Sequence, residues 1–195
     1  MGREYAKGCP PDPEPRKRRA GKQRCVLIGY RCSGKTTVGQ VLAARLGWGF
    51  ADTDAEVERQ AGKSVAQIVA EEGWPGFRAR EREAVARLTK EKCLVIAVGG
   101  GAVMDETNRA RLKRGAVVVY LKCDPRTLVG RMAADPQTAS RRPSLSGTDA
   151  LSETEAVLLE REPVYEAAAD CRIEAGGRGI GEIAAEIGRL LEGGH

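Results

Sequence analysis

The sequence predicts an α/β fold in which a parallel sheet is covered by helices on both faces. Short, continuously apolar runs, of the kind found in buried strands, alternate along the chain with stretches of helical periodicity. This alternation is typical of a parallel sheet whose connections are helices. The chain has 195 residues, of which 42% are hydrophobic, so we expect one domain with a substantial core.

The first half of the folded region starts with the apolar strand 25–28, which ends at Gly29. Apolar residues then recur at helical spacing over 36–46, and Gly47 ends this helix. A short strand reaches 50–52. Three helical stretches follow, near 54–61, 65–72 and 77–90.

The second half keeps the same alternation of strands and helices. Pro125 can begin a helix, whereas Pro163 is expected to interrupt one. Residues 134–150 are rich in Pro, Ser, Arg, Thr, Gly and Asp and are predicted to form an exposed, mobile loop. The predicted elements are strand 93–98, helix 105–113, strand 116–121, helices 125–133 and 152–169, the edge strand 171–173 and an amphipathic helix 180–191.

The net charge of +5 resides in segment 1–24, which holds eight Lys/Arg and three acidic residues. The remaining residues are neutral in sum, which gives no support for a folded domain that coats nucleic acid. Because segment 1–24 has four prolines and no hydrophobic periodicity, we predict a disordered basic tail there and a folded domain at 25–195. The tail is either solvated or a basic targeting or nucleic-acid patch, and it lacks the apolar core of a secretory signal. No apolar run approaches the ~18 residues of a membrane helix, which excludes a channel or transporter.

The chain contains six cysteines and one histidine, His195. No two cysteines have CxxC spacing, so a zinc cluster is not expected. Since no export signal is recognised either, we expect six reduced thiols and a cytoplasmic location.

The strongest functional signal is segment 29–36, whose sequence GYRCSGKT fits G-x-x-x-x-G-K-[ST] without a mismatch. An apolar strand precedes it and a helix follows, as this phosphate-binding loop requires. Its glycines let backbone N–H groups point at phosphate oxygens, Lys35 adds a positive charge at the β and γ phosphates, and the Thr36 hydroxyl can ligate Mg²⁺. The segment predicts a nucleoside triphosphate site and leaves the phosphate acceptor open.

Three further clusters lie where other strands end or helices begin. Asp52 and Asp54 close the second strand beside the predicted phosphate loop. They can orient metal-bound water and accept a hydrogen bond from a hydroxyl, or they can simply cap a helix. Arg78 and Glu81 share a helix face, whereas Arg80 and Glu81 can equally be solvated surface charges. The glycines at 99–101 either let a ligand approach the backbone or form a flexible turn.

Arginines form the last group of candidates. Arg141 and Arg142 lie on the predicted mobile loop, from which they can close over a nucleotide, and Arg161 follows in helix 152–169. Judged singly, each fits a surface charge. A small anionic acceptor explains several arginines in a neutral domain, because a guanidinium grips a carboxylate in two-pronged geometry.

Together these segments resemble the shikimate kinase family. The matching segments occur in the family order and are GYRCSGKTT at 29–37, DTD at 52–54, GFRARE at 76–81, GGG at 99–101, RRP at 141–143 and REPVY at 161–165. The resemblance covers about 25–192 and leaves out the basic tail. It implies the P-loop fold of the nucleoside monophosphate kinases, with substrate-binding helices at about 54–90 and a lid at about 134–150.

The resemblance further implies ATP-dependent phosphorylation of the 3-hydroxyl of shikimate, a step of chorismate and aromatic amino-acid biosynthesis, with ATP as co-substrate and Mg²⁺ as cofactor. It implies catalytic roles for Lys35, Asp54 and Arg142. By position, it implies ATP contacts for Cys32, Ser33, Gly34, Lys35, Thr36, Thr37, Arg131 and Arg142, shikimate contacts for Asp54, Arg78, Gly100 and Arg161, and metal ligation by Thr36 and Asp52.

Two other functions stay open at this point. One is a P-loop kinase for another small hydroxylated acceptor, such as gluconate or a nucleotide. The other is a nucleotide-dependent binding or regulatory module whose basic tail contacts nucleic acid. For the kinase we expect small-molecule partners, no nucleic acid, no membrane and a monomer.

Overall fold

The computed structural model describes residues 23–134 and 150–193. Within them, parallel strands form one five-stranded sheet, made of β1 (Arg24–Ile28), β2 (Gly49–Asp52), β3 (Leu94–Ala97), β4 (Val117–Lys122) and β5 (Cys171–Glu174). Their order is β2-β3-β1-β4-β5, and every adjacent pair is parallel. The predicted parallel α/β architecture is confirmed, with β5 at an edge as expected.

The described residues also form seven α-helices, which connect or follow the strands. They are α1 (Lys35–Leu46), α2 (Thr53–Ala61), α3 (Val65–Leu88), α4 (Glu106–Lys113), α5 (Pro125–Ala134), α6 (Ala150–Ala168) and α7 (Ile180–Glu192). One 3-10 turn, Ala102–Met104, precedes α4.

Successive side chains of a strand point to opposite faces of the sheet. Both faces are buried, because helices cover each of them. Val26 and Val118 belong to the core that α3, α4 and α6 cover. Leu27 and Val119, one position further along, belong to the core under α1 and α7. The two cores hold the strands firmly, and so they fix the loops that leave the carboxyl ends of the strands.

The prediction that Pro163 interrupts its helix is wrong, because α6 runs through this residue. A proline inside a helix removes the hydrogen bond to the carbonyl four residues earlier, here that of Leu159. The Leu159 residue is 80% exposed and Pro163 is exposed as well. Water can therefore satisfy the Leu159 carbonyl on this solvent-facing side of α6.

α3 joins two stretches that the sequence predicts as separate helices, 65–72 and 77–90. The junction is a kink at Gly73, where φ is 71° and ψ is 176°. A positive φ costs glycine little, since it has no Cβ. Residues on both sides of the kink, Ile68 before it and Phe77 after it, share a small core with α2, and the last turns of α3 pack against the sheet.

Four of the six cysteines, Cys25, Cys32, Cys123 and Cys171, are reduced thiols, as expected. The expectation of a reduced thiol is wrong for Cys93, which is disulfide-bonded. Residues 1–22 of the predicted tail, including Cys9, and residues 135–149 of the predicted lid lie outside the described residues. Across the described ranges, the structure contains no helix that combines the length and the apolar character needed to cross a membrane.

Candidate active site

The segment between β1 and α1 has the backbone of an anion-binding loop. Gly29 and Gly34 have φ angles of 140° and 96°, and Cys32 has a φ of 60°. A Cβ at Gly29 would lie 2.6 Å from the Leu121 carbonyl oxygen, so no side chain fits there. Gly34 is the N-cap of α1, and it has no side chain that could occupy the N–H groups of the first turn. Those N–H groups can therefore face an anion.

Lys35 lies folded against this loop. Its Nζ donates a hydrogen bond to the Tyr30 carbonyl oxygen at 2.6 Å and lies 3.4 Å from Ser33 Oγ. The residue is only 9% exposed. Because little water screens a buried ammonium, Lys35 is a strong local positive charge. The charge lies within the loop, where phosphate binding requires it.

The carboxyl end of β2 supplies the first acidic side chain of the site. Asp52 Oδ2 accepts a hydrogen bond from Thr36 Oγ1 at 2.8 Å. Asp52 Oδ1 accepts from the backbone N–H groups of Asp54 and Ala55 at 3.0 and 3.3 Å, which caps α2. The helix-cap alternative is therefore confirmed for Asp52, and the same side chain also contacts the hydroxyl predicted to bind metal.

Asp54, in the first turn of α2, lies over the first glycine of segment 99–101. A Cβ at Gly99 would lie 2.5 Å from Asp54 Oδ1 and 2.9 Å from Glu81 Oε1. The Gly99 N–H donates to Thr53 Oγ1 at 2.8 Å, which holds this backbone in place. Two carboxylates thus converge on a position that only glycine leaves open.

Arg78, on α3, approaches the same glycine segment. Its Nη1 donates to Glu81 Oε2 at 2.6 Å, and the Glu81 side chain is only 1% exposed. A Cβ at Gly101 would lie 2.8 Å from the guanidinium carbon of Arg78, so the guanidinium lies against this backbone. The guanidinium also lies 5.6 Å from the centre of the Trp74 ring, within cation–π range. These contacts hold Arg78 in one orientation.

Arg80 behaves differently, although it is only two residues further along. It lies on the surface, where its Nη2 donates to Glu72 Oε1 at 2.8 Å. This hydrogen bond lowers the pKa of the Glu72 carboxyl. The surface-charge alternative therefore holds for Arg80 and is wrong for Glu81, whose side chain is buried.

α6 reaches the glycine segment from another direction. The Tyr165 hydroxyl donates to the Gly100 carbonyl oxygen at 2.5 Å, and Tyr165 is fully buried. Arg161, which is partly buried, lies four residues earlier on the same face of α6. The fold thus brings the helix of Arg161 and the side chain of Arg78 to the same three glycines.

Arg131, on α5, lies at the other end of the phosphate loop. Its Nη1 donates to the Cys32 carbonyl oxygen at 3.2 Å, and its Nη2 donates to the Ala175 carbonyl oxygen at 3.1 Å. Arg131 therefore connects the phosphate loop to the segment that follows β5. The resemblance predicts a nucleotide contact for this residue, and the structure shows its contact with the phosphate loop.

These elements surround a cleft of about 890 Å³. The predicted site residues on its wall are Cys32, Ser33, Gly34, Lys35, Thr36, Thr37, Asp52, Asp54, Gly100 and Arg131. Arg78 and Arg161 do not line this wall. Arg78 adjoins it through the glycine segment, and Arg161 lies on α6, whose Tyr165 binds the same segment. Arg142 lies outside the described residues.

Several side chains that hold the site together were not predicted as site residues. They include Thr53 and Tyr165, whose hydroxyls bind the glycine segment. They also include Arg31 of the phosphate loop, whose Nη2 lies 3.8 Å from Glu153 Oε1 at the start of α6. Thr53 and Tyr165 lie inside the segments DTD and REPVY, and this position was the sequence feature that could have indicated a role in the site. Their partners are distant in sequence, so the contacts were not visible there.

Comparison with known proteins gives matches over most of the chain. The family model described as "Shikimate kinase" matches residues 31–192. A shikimate kinase of Symbiobacterium thermophilum is 47% identical over 167 residues, which cover 86% of this chain and 95% of the relative. A shikimate kinase of Rhodopirellula baltica is 41% identical over 165 residues, which cover 85% of this chain and 88% of the relative.

Solved structures agree with these matches. A shikimate kinase from Acinetobacter baumannii in complex with shikimate has a TM-score of 0.81 at 36% identity, covering 87% of this chain and 92% of that chain. A shikimate kinase from Bacteroides thetaiotaomicron has a TM-score of 0.78 at 30% identity, covering 87% of this chain and 98% of that chain.

Proposed function

The chain belongs to the shikimate kinase family, and from this premise we propose that its cleft transfers the γ-phosphate of ATP to the 3-hydroxyl of shikimate. ATP is the co-substrate, and the products are ADP and shikimate 3-phosphate. Such a transfer needs in-line placement of the reactants, neutralisation of charge and exclusion of water, rather than covalent chemistry by the protein.

The observation that carries the proposal is the position of two groups of residues on one cleft. Lys35 and Thr36 line its phosphate end, while Asp54 and Gly100 line it at the ends of β2 and β3. All four lie at the carboxyl edge of one parallel sheet, where folds of this type bind their ligands. A donor phosphate and a hydroxyl acceptor can therefore meet in this cleft.

The chemistry of the acceptor end suits shikimate, which is a small acid with several hydroxyls. We assign its carboxylate to Arg78 and Arg161, because guanidinium groups bind carboxylates with paired, charge-assisted hydrogen bonds. Asp54 accepts hydrogen bonds from the shikimate hydroxyls and is the candidate base for the attacking one. Gly100 lets the substrate lie close to the backbone.

The donor end holds the phosphates of ATP. Lys35 exchanges the Tyr30 carbonyl for a phosphate oxygen, since a bond between two charged partners is stronger than a bond to a neutral carbonyl. The backbone and side chains of Cys32, Ser33, Gly34, Thr36 and Thr37 surround the phosphates. Arg131 lies beside the nucleotide, and Arg142 is assigned to the lid that covers the phosphates.

The pair formed by Thr36 and Asp52 suits Mg²⁺. A hydroxyl and a carboxylate oxygen 2.8 Å apart are hard ligands, and Mg²⁺ binds such ligands together with waters and substrate phosphates. Asp52 keeps one oxygen on the N-terminus of α2, and its other oxygen, now bonded to Thr36, would help to hold the ion. When bound, the ion neutralises charge on the phosphates.

A panel of acceptors tests the proposed function. ADP release is measured with ATP and Mg²⁺ in the presence of shikimate, gluconate, a nucleoside monophosphate or no acceptor. We expect rapid release with shikimate only, together with shikimate 3-phosphate in the product mass spectrum. Faster release with gluconate would assign the chain another acceptor, and equal release without any acceptor would indicate a regulatory nucleotide hydrolase.

We also propose where the kinase domain begins and which partners the protein has, and each of these proposals can be tested. We expect a chain that lacks residues 1–22 to retain its activity, because we place the kinase domain at 25–195 and β1 already begins at Arg24. Salt-sensitive binding of DNA or RNA that is lost with the tail would instead assign segment 1–24 a nucleic-acid partner. A monomer in light scattering and a cytoplasmic location in cell fractionation are expected.

A further inference from the structure

We propose that Thr53 and Tyr165 are positioning residues for the phosphate acceptor, because their hydroxyls fix the backbone of the glycine segment 99–101 from two different helices. The inference rests on the proposed function, in which Gly100 contacts shikimate. Thr53 is the first residue of α2, and Tyr165 lies near the end of α6. Two helices that are distant in sequence therefore hold the same short segment.

Three successive glycines have a backbone that no side chain of their own restrains. The Gly99 and Gly101 carbonyls accept backbone hydrogen bonds from Ala102 and Met104 at 2.9 and 3.1 Å. Two hydrogen bonds with side-chain hydroxyls add to this restraint. The Gly99 N–H donates to Thr53 Oγ1 at 2.8 Å, and the Tyr165 hydroxyl donates to the Gly100 carbonyl oxygen at 2.5 Å. Both hydroxyl-bearing residues are fully buried, so water does not compete for these hydrogen bonds.

The glycine segment touches both halves of the cleft. A Cβ at Gly100 would lie 3.3 Å from the Gly29 carbonyl oxygen and 3.5 Å from the backbone nitrogen of Arg31. The glycine segment therefore packs against the backbone of the phosphate loop. Asp54 and Arg78 lie against its first and third glycines. A displaced segment would move the acceptor away from the donor, and misplacement by about 1 Å can cost roughly 100-fold in rate.

Tyr165 also connects the segment to α6. Its ring packs on the Tyr120 ring, with centroids 5.2 Å apart, which fixes the direction of the hydroxyl. Arg161 lies one helical turn before Tyr165, so the bond to Gly100 also sets the position of Arg161 relative to the glycine segment. Loss of this hydroxyl should therefore weaken acceptor binding and leave ATP binding intact.

Two variants each remove one hydroxyl and keep the shape of the side chain, namely Thr53→Val and Tyr165→Phe. Thr53→Ser keeps the hydroxyl and serves as the rescue variant. Tyr120→Phe removes a hydroxyl from the neighbouring ring of the same core. Thr89→Val removes a hydroxyl that donates to the Val85 carbonyl oxygen at 2.7 Å, at the end of α3 and away from the glycine segment.

We expect the KM for shikimate to rise roughly fivefold in Thr53→Val and in Tyr165→Phe, the effect of one lost hydrogen bond. The KM for ATP should stay within about twofold of wild type. Thr53→Ser and the variants of Tyr120 and Thr89 should keep both wild-type values. Equal rises in the two KM values, or an unchanged KM for shikimate in Tyr165→Phe, would overturn the proposal.

Hydrogen exchange of the substrate-free protein separates this inference from the proposed function. The amides of segment 99–101 should exchange roughly fivefold faster in Tyr165→Phe and Thr53→Val than in wild type, and at the wild-type rate in the control variants. Unchanged exchange would refute the restraint even if shikimate is the substrate. Faster exchange in a protein inactive on shikimate would support the restraint and refute only the acceptor.

Discussion

Substitution of Arg78 should weaken acceptor binding and leave ATP binding intact. A charge-assisted hydrogen bond contributes about 1.5–3 kcal/mol. The Arg78 side chain is 30% exposed, so solvent screens part of this interaction. We therefore expect a loss of about 2 kcal/mol in Arg78→Ala, which corresponds to a rise of roughly 30-fold in the KM for shikimate.

The same substitution also affects the folded state. Arg78 is the hydrogen-bond partner of Glu81, whose side chain is 1% exposed. A buried carboxylate that loses its charged partner can destabilise a protein by about 3–5 kcal/mol. Arg78→Lys keeps a positive charge near Glu81 but loses the two-pronged grip on a carboxylate. A rise of roughly tenfold in the KM for shikimate is expected for this variant.

The assay varies shikimate at saturating ATP and then ATP at saturating shikimate, with folding checked by circular dichroism. Arg80→Ala is the matched control, because Arg80 lies on the same helix and pairs with Glu72 at the surface. Its two KM values should equal those of wild type. Equal rises in both KM values of folded Arg78→Lys, or the same shift in Arg80→Ala, would refute the assignment.

Three further substitutions test other parts of the structure. Lys35→Ala should lower kcat at least about 100-fold in the ADP-release assay while the far-UV spectrum stays native, and substantial remaining turnover would contradict the role of this charge. Gly101→Ala places a methyl group 2.8 Å from the Arg78 guanidinium carbon, so the KM for shikimate should rise and the KM for ATP should not. The Asp105 carboxyl caps α4 and accepts a backbone hydrogen bond from Asn108, which lowers its pKa below the usual 3.8. Since the folded-state pKa is depressed, this stabilisation is present above pH 3.8 and is lost as the pH falls below it. Asp105→Ala should therefore lower the free energy of unfolding by about 1 kcal/mol at pH 7 and by less near pH 3, measured in urea, whereas equal losses would contradict the charge effect.

The elements that depend on local pattern were predictable from the sequence. The strand before Gly29 and the helix after it follow from hydrophobic periodicity and glycine positions, and the structure has both. The same holds for the alternation that leads to a parallel sheet. The course of α6 through Pro163 was not predictable in this way, because it depends on which side of the helix faces solvent.

The environment of the candidate site residues depends on contacts between distant parts of the chain. In the sequence, Arg80 and Glu81 are equally suitable as surface charges, and only the fold buries Glu81 while it leaves Arg80 in a surface ion pair. The bond between Tyr165 and Gly100 spans 65 positions and has no local signal. The sequence left two roles open for Asp52. In the structure its two carboxylate oxygens have different partners, the Thr36 hydroxyl and the N-terminus of α2.

The central place of β1 in the sheet has a consequence for how selectivity can evolve. β2 and β3, on one flank, lead to Asp54 and Gly100, whereas the chain between β4 and β5, on the other, contains α6 with Arg161. The groups assigned to the acceptor therefore come from both flanks, with the phosphate loop after β1 between them. A change of acceptor preference would thus require coordinated mutations on both sides of the central strand, while the strand that positions the phosphate loop stays the same.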